Sequence, residues 1–267
     1  LKFYFSKKFK IILIKENLID KIYSEKRKKV NKMFSLPDKI AGESHISKIK
    51  KIKEFLKKNK CEHILISAPE NVAWILNIRG WDNPNSPISN CRCVISKNGN
   101  FFLICEKFKT EQIIKEKKLR SSQIIHPNNF RYLISKLKGK KFIIDENSCS
   151  ILNKSIISSK FKTLNIIDPS YKLKAIKNAS ELINMKNSHI EDGVALTKFL
   201  FWIKNSNKKK INEVDAKKKL ESFRKLSKNY LRPSFQTISA TGSNAALPHY
   251  IPNKKTNKEI KKKDIFL

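Results

Sequence analysis

Between residues 44 and 167 the chain alternates apolar runs of two different periods, and no other feature restricts its fold as strongly. Ile46, Ile49, Ile52, Phe55 and Leu56 recur at the spacing that lines one face of a helix, with Ser44 placed to cap its first N–H groups. His63-Ile-Leu-Ile-Ser67 follows as a short strand and Pro69-Glu-Asn71 as a turn. Residues 72–78 form another apolar run, read as a strand ending near Arg79 and Asp82. Runs at 91–96 and 101–105 flank Lys97-Asn-Gly-Asn100, whose Asn-Gly step suits a tight primed hairpin turn. Helical patterns at 112–118 and 129–137 and strands at 141–145 and 164–167 complete the series. Helix feeding strand in this way predicts an α/β domain over residues 36–170.

The pattern changes at Asp168-Pro169. Leu182, Ile183, Met185, His189, Val194, Leu196, Phe199, Leu200 and Ile203 predict a long helix over 178–205, locally weakened by Gly193 at about 1 kcal/mol relative to Ala. Val214, Ala216, Leu220, Phe223 and Leu226 predict a second over 213–228, then Ser234-Phe-Gln-Thr-Ile238 a strand and Ala240-Thr-Gly-Ser-Asn244 a loop. Two helices feeding so few strands do not make a self-sufficient domain, so residues 171–267 are expected to be the beginning of one. Upstream, Ile11-Ile12-Leu13-Ile14 reads as a strand, Leu18, Ile19, Ile22 and Tyr23 as a helical turn, and residues 24–32 as a charged linker. Residues 1–35 are therefore expected to be the end of a preceding domain, and the initial Leu1 suggests a start other than the native one.

The net charge of +35 raises the possibility of nucleic acid or an anionic membrane as partner. Lysine is spread from Lys2 to Lys263, however, and not gathered with arginine and aromatics on one face, so compositional bias is the expected source and no specific nucleic acid is expected. Five cysteines, an odd count without a CxxC pair or a secretory signal, fit reduced thiols and a cytoplasmic setting. No segment has the length needed to span a bilayer.

Residue types alone reveal little chemistry. HExxH, Walker and GxGxxG motifs are absent, and His45, His63 and His126 lack carboxylates or cysteines at ligand spacing. The pairs Glu191-Asp192 and Asp145-Glu146 read as solvated surface or caps. Two clusters stand out. One is Ala73-Trp-Ile-Leu-Asn-Ile-Arg-Gly80 with Asp82, where charges beside apolar residues need either a partner or a cleft, an Arg79–Asp82 salt bridge being the simplest arrangement. The other is Ser239-Ala-Thr-Gly-Ser-Asn-Ala-Ala-Leu-Pro-His-Tyr250.

These clusters carry a family resemblance. Val72-Ala-Trp-Ile-Leu-Asn-Ile-Arg-Gly-Trp-Asp82 with Pro87 resembles the signature of the creatinase-like domain of Xaa-Pro aminopeptidases, and Ala41-Gly-Glu-Ser44 its start. Glu16-Asn-Leu-Ile-Asp20 resembles the end of the domain before it. Leu173-Lys-Ala-Ile-Lys-Asn178, His189-Ile-Glu-Asp-Gly-Val-Ala195, and Phe235-Gln-Thr-Ile-Ser239 through His249-Tyr250 resemble the entry into the pita-bread catalytic domain. The similarity runs along nearly the whole chain in order.

The resemblance implies a complete creatinase-like α/β domain followed by the N-terminal part of a pita-bread α+β domain. It implies removal of an N-terminal residue that precedes proline, by a hydroxide shared between two divalent metals, manganese being the expected pair. His249 matches the family's active-site histidine, catalytic and substrate-binding, and Arg79 and Trp81 match residues that reach toward the substrate cleft, in some members across a homodimer. The family's ligands are two Asp, one His and two Glu, and the first Asp would lie two positions beyond Leu267. No metal ligand, no bound metal and no activity are therefore expected of these 267 residues alone. The alternatives are a non-catalytic pita-bread-like peptide or protein binding module, a basic nucleic-acid-binding protein, and the related prolidases. The remnant upstream of Lys39 favours the three-domain aminopeptidases over the two-domain prolidases.

Overall fold

The computed structural model describes residues 12, 14, 18–22, 31–116, 118–206 and 210–267. The chain divides into a unit of residues 1–30 and one of residues 31–267. In the first, Leu18–Ile22 is a short helix, as expected, whereas the strand expected at 11–14 lies mostly outside the described residues.

The strands of the larger unit are β1 (Phe34–Ser35), β2 (His63–Ile66), β3 (Ile78–Arg79), β4 (Arg92–Ser96), β5 (Phe101–Ile104), β6 (Ile124–Ile125), β7 (Lys141–Ile144) and β8 (Lys162–Asn165). β1 and β3 pair with each other, and the other six form one sheet in the order β6-β5-β4-β2-β7-β8. Only β4 runs against its neighbours. Alternation along the strands sends successive side chains to opposite faces. Ile64, Ile66, Cys93, Ile95, Leu103 and Ile143 meet α1 (His45–Lys58) and α2 (Pro69–Leu76) on one face. Leu65, Val94, Ile104, Phe142 and Ile144 meet α3 (Phe130–Lys136) and α4 (Ile151–Ser158) on the other. The result is a three-layer α/β/α sandwich, in which each fully buried Leu, Ile or Phe contributes about 1.5–3 kcal/mol of transfer free energy. His63 belongs to this core: its ring nitrogens lie 2.8 Å from Ser96 Oγ and 2.9 Å from the Lys138 carbonyl, and burial pushes its pKa down.

Several elements differ from expectation. Residues 69–71 open helix α2 instead of forming a turn, because Pro69 sits in its first turn, where no N–H is needed. The run at 72–78 is consequently mostly helical, ending where Asn77 turns left-handed (φ +49°) to start β3. The hairpin forms, but around the three residues 97–99 with Gly99 at φ +91°, not as a two-residue primed turn. Helix α4 had no counterpart in the sequence reading, and β8 lies two residues earlier than expected. Asp145 is buried, accepting the Asp168 backbone N–H at 2.9 Å, so it is not solvated surface. Residues 234–238 form no strand; none of the described strands lies beside them to share hydrogen bonds.

Beyond short helices at Asp38–Ala41, Glu111–Lys115 and Ser170–Ala175, the C-terminal part carries α5 (Ala179–Asn205) and α6 (Glu213–Arg224). Asn178 and Glu181 form a reciprocal capping box at the start of α5. The same end is fastened to the sandwich: Asn178 Nδ2 donates to the Ala41 carbonyl at 2.8 Å, Asn184 Nδ2 to the Ile40 carbonyl at 3.1 Å, and Trp74 Nε1 to Glu181 Oε1 at 3.1 Å. Further along, α5 buries only Ala195 and Phe199, around a small cluster with Ile211 and Ala216, while Ile190 and Phe201 are 66% and 71% exposed.

Candidate functional site

The first cluster is built at the C-terminal end of α2. Arg79 does not reach Asp82. Its Nη1 donates to the carbonyls of Ala73 and Ile78, both at 2.9 Å, so its charge rests at the negative end of the helix. Asp82 is paired instead with Lys109 at 2.6 Å, and accepts from Ser89 Oγ at 2.9 Å and the Asn90 N–H at 2.7 Å. Burial alone would raise the Asp82 pKa; Lys109 and the two hydrogen bonds outweigh it and hold the carboxyl down. The expected Arg79–Asp82 bridge is thereby corrected: each charge has a nearer partner. Trp81 is held between Phe34, with ring centroids 5.5 Å apart, and the Arg232 guanidinium, 3.6 Å from its ring centroid. Arg232 also donates to the Pro84 carbonyl at 3.1 Å, so the segment after α6 lies against the Trp81 loop.

Beneath this loop lies a cation that the sequence did not single out. Lys48 of α1 is 1% exposed and donates to the Trp74 carbonyl at 3.0 Å and Asn77 Oδ1 at 2.8 Å. Burial brings its pKa down to about 8, against the opposing pull of Glu181 and Glu43.

The second cluster surrounds a buried carboxylate. Glu213, at the start of α6, is fully buried and accepts from Tyr250 OH at 2.7 Å, the Thr241 N–H at 2.7 Å, Asn244 Nδ2 at 3.0 Å and the Lys258 N–H at 3.1 Å. Burial works against its ionisation, but these donors prevail and keep its pKa below the ordinary value. Glu213 thus ties the Gly-Ser-Asn loop and Tyr250 to α6. His249, beside Tyr250, is exposed and left-handed (φ +56°), a conformation His tolerates better than most side chains. No hydrogen bond or ion pair among the described residues joins His249 to Arg79 or Trp81. In the sequence, Glu213 was visible only as an acidic residue at a helix start; the donors that converge on it come from 28 to 45 positions away.

Residues 24–181, more than half of the chain, match the family model of the creatinase/prolidase N-terminal domain. The chain belongs to that family. The creatinase/prolidase match gives way at residues 183–267 to a match with metallopeptidase family M24. Among curated relatives, Xaa-Pro aminopeptidase 1 of Dictyostelium discoideum is 34% identical over 92% of this chain and 41% of its own length. The Drosophila melanogaster Xaa-Pro aminopeptidase ApepP is 30% identical over 96% of this chain and 43% of its own. The creatinase/prolidase chain therefore spans less than half the length of these relatives. Among solved structures, the X-prolyl aminopeptidase of Caenorhabditis elegans, described as a cytosolic enzyme with a di-nuclear active site, superposes with a TM-score of 0.83 at 25% identity, over 95% of this chain and 43% of that one. The prolidase of Pyrococcus horikoshii gives 0.60 at 23% identity over 82% and 59%. The fold is a creatinase-like domain followed by the start of an M24 pita-bread domain.

The described residues do not fit a two-metal centre. No group of three or more His, Cys, Asp or Glu among them could hold a metal ion. Several carboxylates of the M24 region have other partners: Glu213 its four donors, Asp264 the Thr241 hydroxyl and Lys261 N–H, and Asp192 the Arg224 guanidinium. No helix among the described residues is long and apolar enough to cross a membrane.

Proposed function

We propose that this chain is part of a metal-dependent aminopeptidase that removes the N-terminal residue preceding proline. The observation that carries this reading is the likeness to the Caenorhabditis elegans X-prolyl aminopeptidase, which runs through both domains and over 95% of the chain. Prolidases match a smaller share, and less closely. The substrates are peptides with proline in second position. Two divalent ions, manganese by the family's habit, serve the intact enzyme; none of the side chains described above holds them, and the 267-residue chain alone is inactive. We assign residues 1–35 to a preceding domain, 36–170 to the creatinase-like domain and 171–267 to the catalytic domain. His249 is the substrate-side histidine, and its exposure suits a group that meets a ligand. Arg79 and Trp81 act at the cleft wall, Arg79 through the loop it stiffens and Trp81 through its ring. The enzyme is a cytoplasmic homodimer without a specific nucleic-acid partner.

The test is the intact gene product, purified with manganese and offered an Arg-Pro-Pro peptide. Metal-dependent release of arginine is expected, and His249→Ala should lower kcat/KM by about 10²-fold or more, the usual weight of a proton-handling side chain. A binding module would bind such a peptide without cleaving it.

A further inference from the structure

Cys91 and Cys105 stand opposite each other at the end of the β4–β5 ladder. The register pairs Ile95 with Phe101, Val94 with Phe102, Cys93 with Leu103 and Arg92 with Ile104, so the next pair outward is Cys91 and Cys105. The hydrogen-bonding phase of that position follows from both ends. Near the turn, the Ser96 N–H donates to the Asn100 carbonyl, which makes that pair hydrogen-bonded. Strict alternation from there puts Ile95/Phe101, Cys93/Leu103 and Cys91/Cys105 at non-hydrogen-bonded positions. Independently, the Cys105 N–H donates to the Ile125 carbonyl on the far side of β5, and so points away from β4. Non-hydrogen-bonded partners have Cα atoms about 4.5 Å apart with side chains turned to the same face. A disulfide spans Cα separations of about 4.4–6.8 Å, so this pair is within reach without moving the backbone. Cys93 shares the face but follows Cys91 by two residues, about 6.6 Å along the strand, at the far limit of that range.

Both thiols are free, and the two residues are among those lining an open cavity of about 390 Å³, with Ser67, Pro69, Glu106 and Lys109. The two residues are themselves buried, and this cavity is the route by which a small disulfide would reach them.

We propose that Cys91 and Cys105 form a dithiol site that closes to an intramolecular disulfide by exchange with a small disulfide of the glutathione class. One thiolate attacks the reagent, forming a mixed disulfide and releasing one glutathione thiolate. The second cysteine loses its proton and attacks the protein sulfur of that mixed disulfide, releasing the other. The protein loses two electrons and two protons, and oxidised glutathione becomes two molecules of reduced glutathione. Burial pushes Cys105 up to about 12 and Cys91 well above its ordinary value, with the Lys109 ammonium pulling both the other way, so the exchange runs faster as pH rises. The product cross-links the two segments that Asp82 already joins through Asn90 and Lys109, and so stiffens the base of the Trp81 loop.

The chain is incubated with oxidised glutathione at mildly alkaline pH, its remaining thiols are alkylated, and the digest is read by mass spectrometry. The expected product is a Cys91–Cys105 linked peptide pair, with the half-exposed Cys149 glutathionylated as an internal control. In Cys91→Ser and Cys105→Ser the remaining partner should stop at the mixed disulfide. Should either variant fail to fold, the wild-type digest decides by itself. Both cysteines alkylated while Cys149 is glutathionylated, or Cys91 linked to Cys93, would overturn the proposal.

Discussion

Glu213 illustrates how one buried charge can organise a segment without much regular structure. Four donors converge on it, and replacing it with glutamine supplies an amide that cannot accept from all of them. Glu213→Gln should therefore cost about 2–3 kcal/mol in denaturant unfolding, the penalty of leaving one or two buried donors unpaired. The pH dependence gives a second reading of the same residue. Its folded pKa lies below the ordinary 4.5, so its contribution is fully present above that value and is lost as pH falls through the folded pKa. The glutamine variant should lack this acid-side loss when melting temperatures are compared across pH. Lys48 has the same sign of pH dependence, in a more alkaline window. Its pKa of about 8 lies below the ordinary 10.5, so between those values the unfolded chain binds a proton that the folded chain has released, and stability from this group rises with pH. Unfolding of wild type and Lys48→Met, followed from pH 7 to alkaline pH, should differ by that rising slope. Neither residue could be singled out from the sequence: one is a glutamate at a helix start, the other one lysine among many. Arg79 and Asp82 could be singled out, because charges next to Trp74, Ile75 and Leu76 demand partners, but which partners depended on a helix C-terminus and a lysine 27 positions away.

At the scale of elements, α1 and β2 were readable because their apolar spacing and the Ser44 cap agree, and Ser44 Oγ indeed accepts the Ser47 N–H at 3.2 Å. Helix α2 was hidden because a short continuous apolar run fits strand and buried helix equally well, and only its packing against β2 and α1 decides. The junction between the two domains is made by turn residues that sequence patterns ignore. Gly42, at φ +70°, sits so close to Asn178 that an added Cβ would lie 2.2 Å from Asn178 Oδ1. Gly42→Ala should consequently break the α5 cap and cost at least the roughly 1–2 kcal/mol of a lost N-cap, measured by denaturant unfolding, whereas Gly99→Ala, with nothing within 4 Å, should meet only the conformational penalty of its left-handed turn. Hydrogen exchange should also separate the elements: amides of α1 and β2 exchange slowly, and those in the second half of α5, which buries only Ala195 and Phe199 there, exchange fast.

For the whole molecule, the period change near Asp168 separated a finished sandwich from a helical region with little core of its own, whereas the two family matches meet thirteen residues or more further on, at 181 and 183. The charge of +35 said little about the fold. If it reflects composition, binding to a random DNA duplex should be weak and vanish at moderate salt; tight binding that survives 200 mM salt would mark a built nucleic-acid site. In the function proposed above, these 267 residues contribute the creatinase-like domain and the opening of a catalytic domain to an Xaa-Pro aminopeptidase. The decisive measurement is a side-by-side assay of this chain and the intact gene product on an Arg-Pro-Pro peptide, with and without manganese. Metal-dependent release of arginine by the intact product and none by this chain is the expected result; cleavage by this chain alone, or none by the intact product with its metal bound, would contradict it.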